Sequence, residues 1–173
     1  MIYWYIQMAK LYFTYDSIHE LIAKSVYKAK EFEPDVIIAI GGGGFIAGRI
    51  VRTFLKVPLL SVTVKLYNDV TSDTNSSEPT ILQWLDEKNI SWIKGKRVLI
   101  VDEIDDTRVT MGFVCQKMVE HGVSAIGTFV IHNKLRPKHG VLPNGAVHMS
   151  CEEVANVWIV YPWENEMKST TVD

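Results

Sequence analysis

Between Arg97 and Thr110 the sequence reads Arg-Val-Leu-Ile-Val-Asp-Glu-Ile-Asp-Asp-Thr-Arg-Val-Thr. An apolar run, 98–101, leads directly into four carboxylates, Asp102, Glu103, Asp105 and Asp106, with Thr107 and Thr110 close behind. Like charges this close repel one another, and a plain turn has no need of them. Ionised carboxylates only accept hydrogen bonds, so an adjacent pair suits the two donors of a ribose diol. Such a pair can also help hold Mg²⁺ among phosphate oxygens. A helix starting just beyond would add free backbone N–H groups that suit a phosphate. The plainer alternative is a solvated acidic turn with a threonine cap, and the buried strand feeding the acids argues against it.

A second segment, Ile38-Ala39-Ile40-Gly41-Gly42-Gly43-Gly44-Phe45, places four glycines between an apolar run and a helical stretch. Amides at such a turn can hold an anion. Taken alone the signal is weak. A loose dinucleotide-binding pattern and a bare tight turn both remain open, and no Walker lysine follows. Further on, the apolar run 129–131 ends in His132, Asn133 and Lys134, and the segment 156–164 carries Trp158, Tyr161, Trp163 and Glu164.

The elements that must position these groups are legible in outline. Runs 36–40, 59–64, 98–101 and 127–131 are apolar at nearly every position, as strands buried on both faces of a parallel sheet are. A helix is expected over 18–32, capped by Ser17 with Glu20 completing a capping box. Two more are expected over 45–55 and 110–121, the last ended by Gly122. This alternation predicts an open α/β sheet, with ligands beyond the carboxyl ends of its strands. The segment 68–79 is polar and turn-rich, a tolerated insert or a lid.

The chain has 173 residues, 47% hydrophobic and 22% charged, with a net charge of −2. That is enough for one domain over 1–173, and it offers no basic surface for nucleic acid. Cys115 and Cys151 lack metal-ligand spacing and read as reduced thiols. The aromatic start from Met1 to Lys10 lacks the marks of a signal peptide and points to an interface. No run is apolar enough to span a membrane. These features predict a soluble cytoplasmic protein.

The run 97–110 resembles the motif by which type I phosphoribosyltransferases bind 5-phosphoribosyl pyrophosphate (PRPP): a hydrophobic strand, two acids, two residues, then Asp-Thr-Gly-x-Thr. The order and spacing of most of the chain resemble the compact purine members. This resemblance implies a mainly parallel twisted sheet flanked by helices, with a flexible catalytic loop at 68–79 and a small hood from the N- and C-terminal segments. It implies that Asp102 and Glu103 bind the ribose, and that Asp105, Asp106, Thr107, Arg108, Val109 and Thr110 form the 5′-phosphate loop. Asp106 would be the catalytic group handling the purine proton near N7. Gly41, Gly42, Gly43 and Gly44 would bind pyrophosphate, with a non-proline cis bond between Gly41 and Gly42. Lys134 would donate to the purine O6, Trp158 would stack on the base, and Ile159 would offer main-chain groups. Mg²⁺ is the implied cofactor, near Glu103, Asp102 and Glu164.

The implied activity is purine salvage, transferring the phosphoribosyl group of PRPP to N9 of hypoxanthine, guanine or xanthine, in a homo-oligomer (dimer or tetramer). A PRPP-sensing regulator without catalysis is the alternative. One departure stands out: Arg108 occupies the usual glycine position, where a positive φ would strain it. The pattern Asp-Asp-Thr-Arg resembles a fungal-type hypoxanthine–guanine branch.

Overall fold

The computed structural model describes residues 10–66 and 79–164. Along them run β1 (Lys10–Tyr12), α1 (Tyr15–Ser25), α2 (Tyr27–Glu31), β2 (Val36–Gly41), α3 (Gly44–Leu55), β3 (Leu59–Lys65) and β4 (Thr80–Gln83). They are followed by α4 (Glu87–Ile93), β5 (Arg97–Asp105), α5 (Val109–Glu120), β6 (Ala125–Lys134), β7 (Val147–Val154) and β8 (Trp158–Val160). The main sheet has the order β4-β3-β2-β5-β6-β7, parallel except for β4 at its edge. β1 and β8 form a separate parallel pair, so a small hood is made from both ends of the described chain.

Three of the four apolar runs, in β2, β5 and β6, are buried on both faces, as expected. The fourth, in β3, is not: only Val62 and Val64 are buried there, because its outer neighbour is the short, exposed edge strand β4. Ile37, Leu99, Val101, Phe129 and Ile131 face α1 and α3, while Val36, Ile38, Ile40, Val98, Ile100 and Val130 face α5 and Ile93 of α4. Neighbouring residues thus anchor opposite layers, the period-two consequence of the pleat. Truncating any one of these fully buried side chains to alanine would cost about 2–5 kcal/mol. That core fixes the strand ends on which the polar groups sit.

Three further expectations are corrected. The first helix is capped by Thr14, not Ser17. Ser17 N donates to Thr14 Oγ1 at 3.1 Å, and Thr14 N donates to Ser17 Oγ at 2.9 Å, a reciprocal box one turn earlier. Glu20 pairs with Lys24 at 3.2 Å instead, and the helix breaks at Val26 into α1 and α2. β5 does not stop at Val101 but continues through the acids to Asp105, because β6 stays paired beside it as far as Asp105↔Asn133.

Gly122 follows α5 at φ 76°, ending it as expected. Both cysteines are free, and burial pushes the Cys115 thiol up to about 12 and that of Cys151 up to about 11, so neither is a thiolate near neutral pH. The segment read as a lid, 68–79, lies outside the described residues except for Pro79, as does the aromatic start up to residue 9.

Candidate active site

A cavity of about 470 Å³ opens at the carboxyl ends of β2 and β5. Its wall joins Gly41 and Gly42 to the whole stretch from Asp102 to Thr110, with Arg136 closing one side. Two segments some sixty positions apart in sequence thus meet where an α/β sheet binds ligands.

The glycine turn lies against the acid pair. The Gly41–Gly42 peptide bond is cis, as the resemblance implied. A Cβ on Gly43 would overlap the Glu103 carboxyl group, and one on Gly44 would come within 2.9 Å of the Val101 carbonyl oxygen and 3.1 Å of Asp102 Oδ1. Side chains there would push the two walls apart. Asp102 Oδ1 accepts from the Glu103 amide at 2.9 Å. Desolvation raises the Asp102 carboxyl well above the ordinary range, and the neighbouring Glu103 carboxylate adds to it. Glu103 Oε2 is buried without a hydrogen-bond partner, an acceptor facing unmet demand.

Beyond the acids the backbone turns at Arg108, whose φ is 67° in the left-handed region. The position does need a positive φ, and an arginine supplies it. Its guanidinium folds back on Asp105, with Nη2 at 2.6 Å and Nε at 2.9 Å from Oδ2. The Asp105 side chain has no exposed surface, and the same oxygen lies 3.6 Å from Lys138 Nζ and 3.3 Å from His148 Nε2. Burial lowers the pKa of His148 and of Lys138, and the Asp105 carboxylate opposes both shifts. Arg108, Lys138 and His148 thus surround the buried Asp105 carboxylate, and Asp105 lines the cavity.

Asp106 points the other way, 39% exposed, within 2.9 Å of Arg136 Nη1 and 3.5 Å of Lys134 Nζ. Lys134 itself is buried. The structure thus brings together Asp106 and Lys134, expected near N7 and O6, neighbouring atoms on one edge of a purine. Trp158 is 56% exposed, so it is no core aromatic, and the neighbouring Ile159 is buried. Neither belongs to the cavity wall. Glu164 Oε2 accepts from the Tyr161 amide at 3.4 Å, and among the described residues no three acidic, histidine or cysteine side chains gather as a metal cluster.

A relay joins the hood to the acids. Tyr161 Oη donates to the Glu103 carbonyl at 3.0 Å and lies 2.7 Å from His132 Nδ1. A hydroxyl has one proton to donate, so His132 carries its proton on Nδ1. His132 is fully buried, and desolvation lowers its pKa to about 4. Sequence reasoning did not identify Arg136, Lys138, His148 or this His132–Tyr161 pair. The one signal was the alternation of bases at 134, 136 and 138 answering the acids at 105 and 106.

A parallel sheet ending in an acid pair, an amide-rich turn and a glycine loop is the architecture of enzymes that hold a phosphorylated ribose. The family described as phosphoribosyl transferase domain matches residues 13–169, and the chain belongs to that family. Its relatives are purine enzymes. The chain is 37% identical to the hypoxanthine-guanine phosphoribosyltransferase of Schizosaccharomyces pombe, over 90% of this chain and 89% of that one. It is 36% identical to xanthine phosphoribosyltransferase 1 of Saccharomyces cerevisiae, over 91% and 90%. A hypothetical protein from Neisseria gonorrhoeae, solved with bound ppGpp, superposes with a TM-score of 0.82 at 36% identity, over 93% of this chain and 92% of that one.

Proposed function

We propose that this chain transfers the 5-phosphoribosyl group of PRPP to N9 of a 6-oxopurine, releasing pyrophosphate. The observation that carries the reading is one cavity lined by the acid pair, the Thr107–Thr110 turn and the glycine loop, with Asp106 and Lys134 beside it. The C1–pyrophosphate bond breaks and an N9–C1 bond forms, with positive charge building on the ribose and negative charge on the leaving group. Asp102 and Glu103 hold the ribose hydroxyls, and the turn holds the 5′-phosphate, which fixes C1 against the base. Asp106 takes the purine proton, and Lys134 donates to O6.

The partnerless Glu103 Oε2 and the hard carboxylate oxygens of Asp102, both on the cavity wall, would hold Mg²⁺. Glu164, the further ligand that the resemblance implied, is not on that wall and accepts from the Tyr161 amide. When bound, the ion neutralises charge on pyrophosphate. Backbone amides of the Gly41–Gly44 turn, of which Gly41 and Gly42 line the cavity, would stabilise the same developing charge. The ppGpp of the gonococcal relative is a guanine nucleotide, which supports guanine among the bases used. Among the described residues no helix is long and apolar enough to cross a membrane. Cytoplasmic residence and a homo-oligomer are parts of the same proposal.

The deciding experiment incubates the protein with PRPP, Mg²⁺ and hypoxanthine, guanine or xanthine separately and measures nucleoside monophosphate. Product from at least one base is expected. PRPP binding without product from any base would favour a non-catalytic PRPP sensor, and no PRPP binding would overturn the reading.

A further inference from the structure

We propose that Lys138 is a positioning residue whose single ammonium sets the phosphate turn and the base-facing lysine together. Its Nζ donates to three main-chain carbonyls, those of Asp105 at 2.7 Å, Asp106 at 2.9 Å and Lys134 at 2.9 Å. An ammonium has three N–H donors, so the set is complete. The longer approach to Asp105 Oδ2, 3.6 Å, is secondary, because Arg108 already holds that carboxylate at 2.6 Å.

The placement matters because of what stops there. The β5–β6 ladder ends at Asp105↔Asn133, one residue short of both Asp106 and Lys134. Beyond it no strand register fixes the separation of those two residues. Lys138 takes over at that point, gripping both backbones from one atom.

Its neighbours extend the grip. The amides of His139 and Gly140 donate to the Thr107 carbonyl at 2.9 and 3.1 Å. A Cβ on Gly140 would overlap the Arg108 carbonyl, so the strap lies flush against the turn. The carbonyls of Asp105, Asp106 and Thr107 are therefore all drawn toward residues 138–140. In a trans peptide the following N–H points opposite to the C=O. The amides of Asp106, Thr107 and Arg108 are turned away from the strap, leaving carbonyls out of the anion's way, as a backbone anion site requires.

This inference rests on the roles proposed above for Asp106, Lys134 and the phosphate turn. Steady-state kinetics of K138M and K138R with PRPP and guanine, alongside thermal melts, test it. K138M is expected to raise KM for PRPP and for guanine at least tenfold each. K138R, which keeps a cation with several donors, is expected to recover at least a third of the lost kcat/KM. If K138M does not fold, K138Q, whose shorter neutral amide cannot supply the three charged donors, takes its place with the same expectation. KM values within twofold of wild type overturn the proposal, whether or not the melting temperature falls, and so does a rise in only one of the two. Wild-type protein that forms no nucleotide would strike at the functional reading, whereas wild-type turnover with unaltered K138M kinetics strikes at Lys138 alone.

Discussion

Arg108 Nη2 lies 2.6 Å from Asp105 Oδ2, three residues back along the chain, and the Asp105 side chain is entirely buried. Arg108 adopts φ 67°, which costs a non-glycine residue about 1 kcal/mol. The ion pair offsets that strain, which is how an arginine can stand where the family motif has glycine. Replacing it by glycine relieves the backbone but leaves Asp105 short of its nearest partner. We expect R108G to be less stable than wild type by about 1–2 kcal/mol, and R108A by about 1 kcal/mol more, since alanine loses the pair and keeps the strain. Urea denaturation reads both, and R108G as stable as wild type would show that the pair adds no more than the backbone costs.

Asp106 and Lys134, 3.5 Å apart, should separate kinetically. D106N is expected to lower kcat by about 10²–10⁴ with PRPP affinity nearly kept. K134A should lower kcat/KM for oxopurines by about 10² or more while PRPP still binds. Unchanged turnover in D106N would remove Asp106 from the chemistry. Equal loss of base and PRPP binding in K134A would point to misfolding instead.

Gly43 and Gly44 are adjacent and should fail differently. A Cβ at Gly43 meets the movable end of Glu103, whereas one at Gly44 meets the fixed Val101 carbonyl at 2.9 Å. G43A is thus expected to displace the Glu103 carboxylate, proposed above to hold the ribose, and to lose PRPP affinity with little change in melting. G44A should cost about 1–3 kcal/mol of stability. The reverse pattern in paired melting and PRPP titrations would refute this assignment of the two walls.

His132 predicts an acid-side loss of stability. Its pKa falls from 6.5 to about 4 on folding, so between those values the unfolded chain binds more protons than the native one. Stability is therefore full above pH 6.5 and declines as the pH drops toward 4, by about 3 kcal/mol for the complete shift. Unfolding free energies measured across pH 4–7 for wild type and H132F should diverge in slope. Parallel curves would mean that His132 does not titrate this way.

The central strands were legible because Val36 to Ile40 and Val98 to Val101 are buried on both faces, and burial of that kind writes an unbroken apolar run. The acid motif and glycine turn were legible because their chemistry is local. The first helix start was misplaced because Ser17 and Thr14 both satisfy the capping pattern, and only the fold chooses between them. Nothing in the sequence marks the break at Val26, which has no proline or glycine beside it. β7 went unread because His148, Ser150, Glu152 and Glu153 dilute its apolar pattern; pairing with β6 makes it a strand. Lys138 was illegible for a different reason: a lysine bound to backbone carbonyls leaves no mark in composition, since its partners are carbonyls every residue possesses.

The pairing of Lys10–Tyr12 with Trp158–Val160 has a consequence for how the molecule assembles. Three register pairs close a span of nearly the whole chain, so the entropy of bringing the ends together is met by very few hydrogen bonds. On a ribosome the sugar-phosphate half can form while this cap still waits for its second strand. In the finished protein, amides of Trp158–Val160 should exchange with deuterated water well before those at the centre of β5. The β1–β8 cap can then open locally while the centre of β5 keeps its hydrogen bonds.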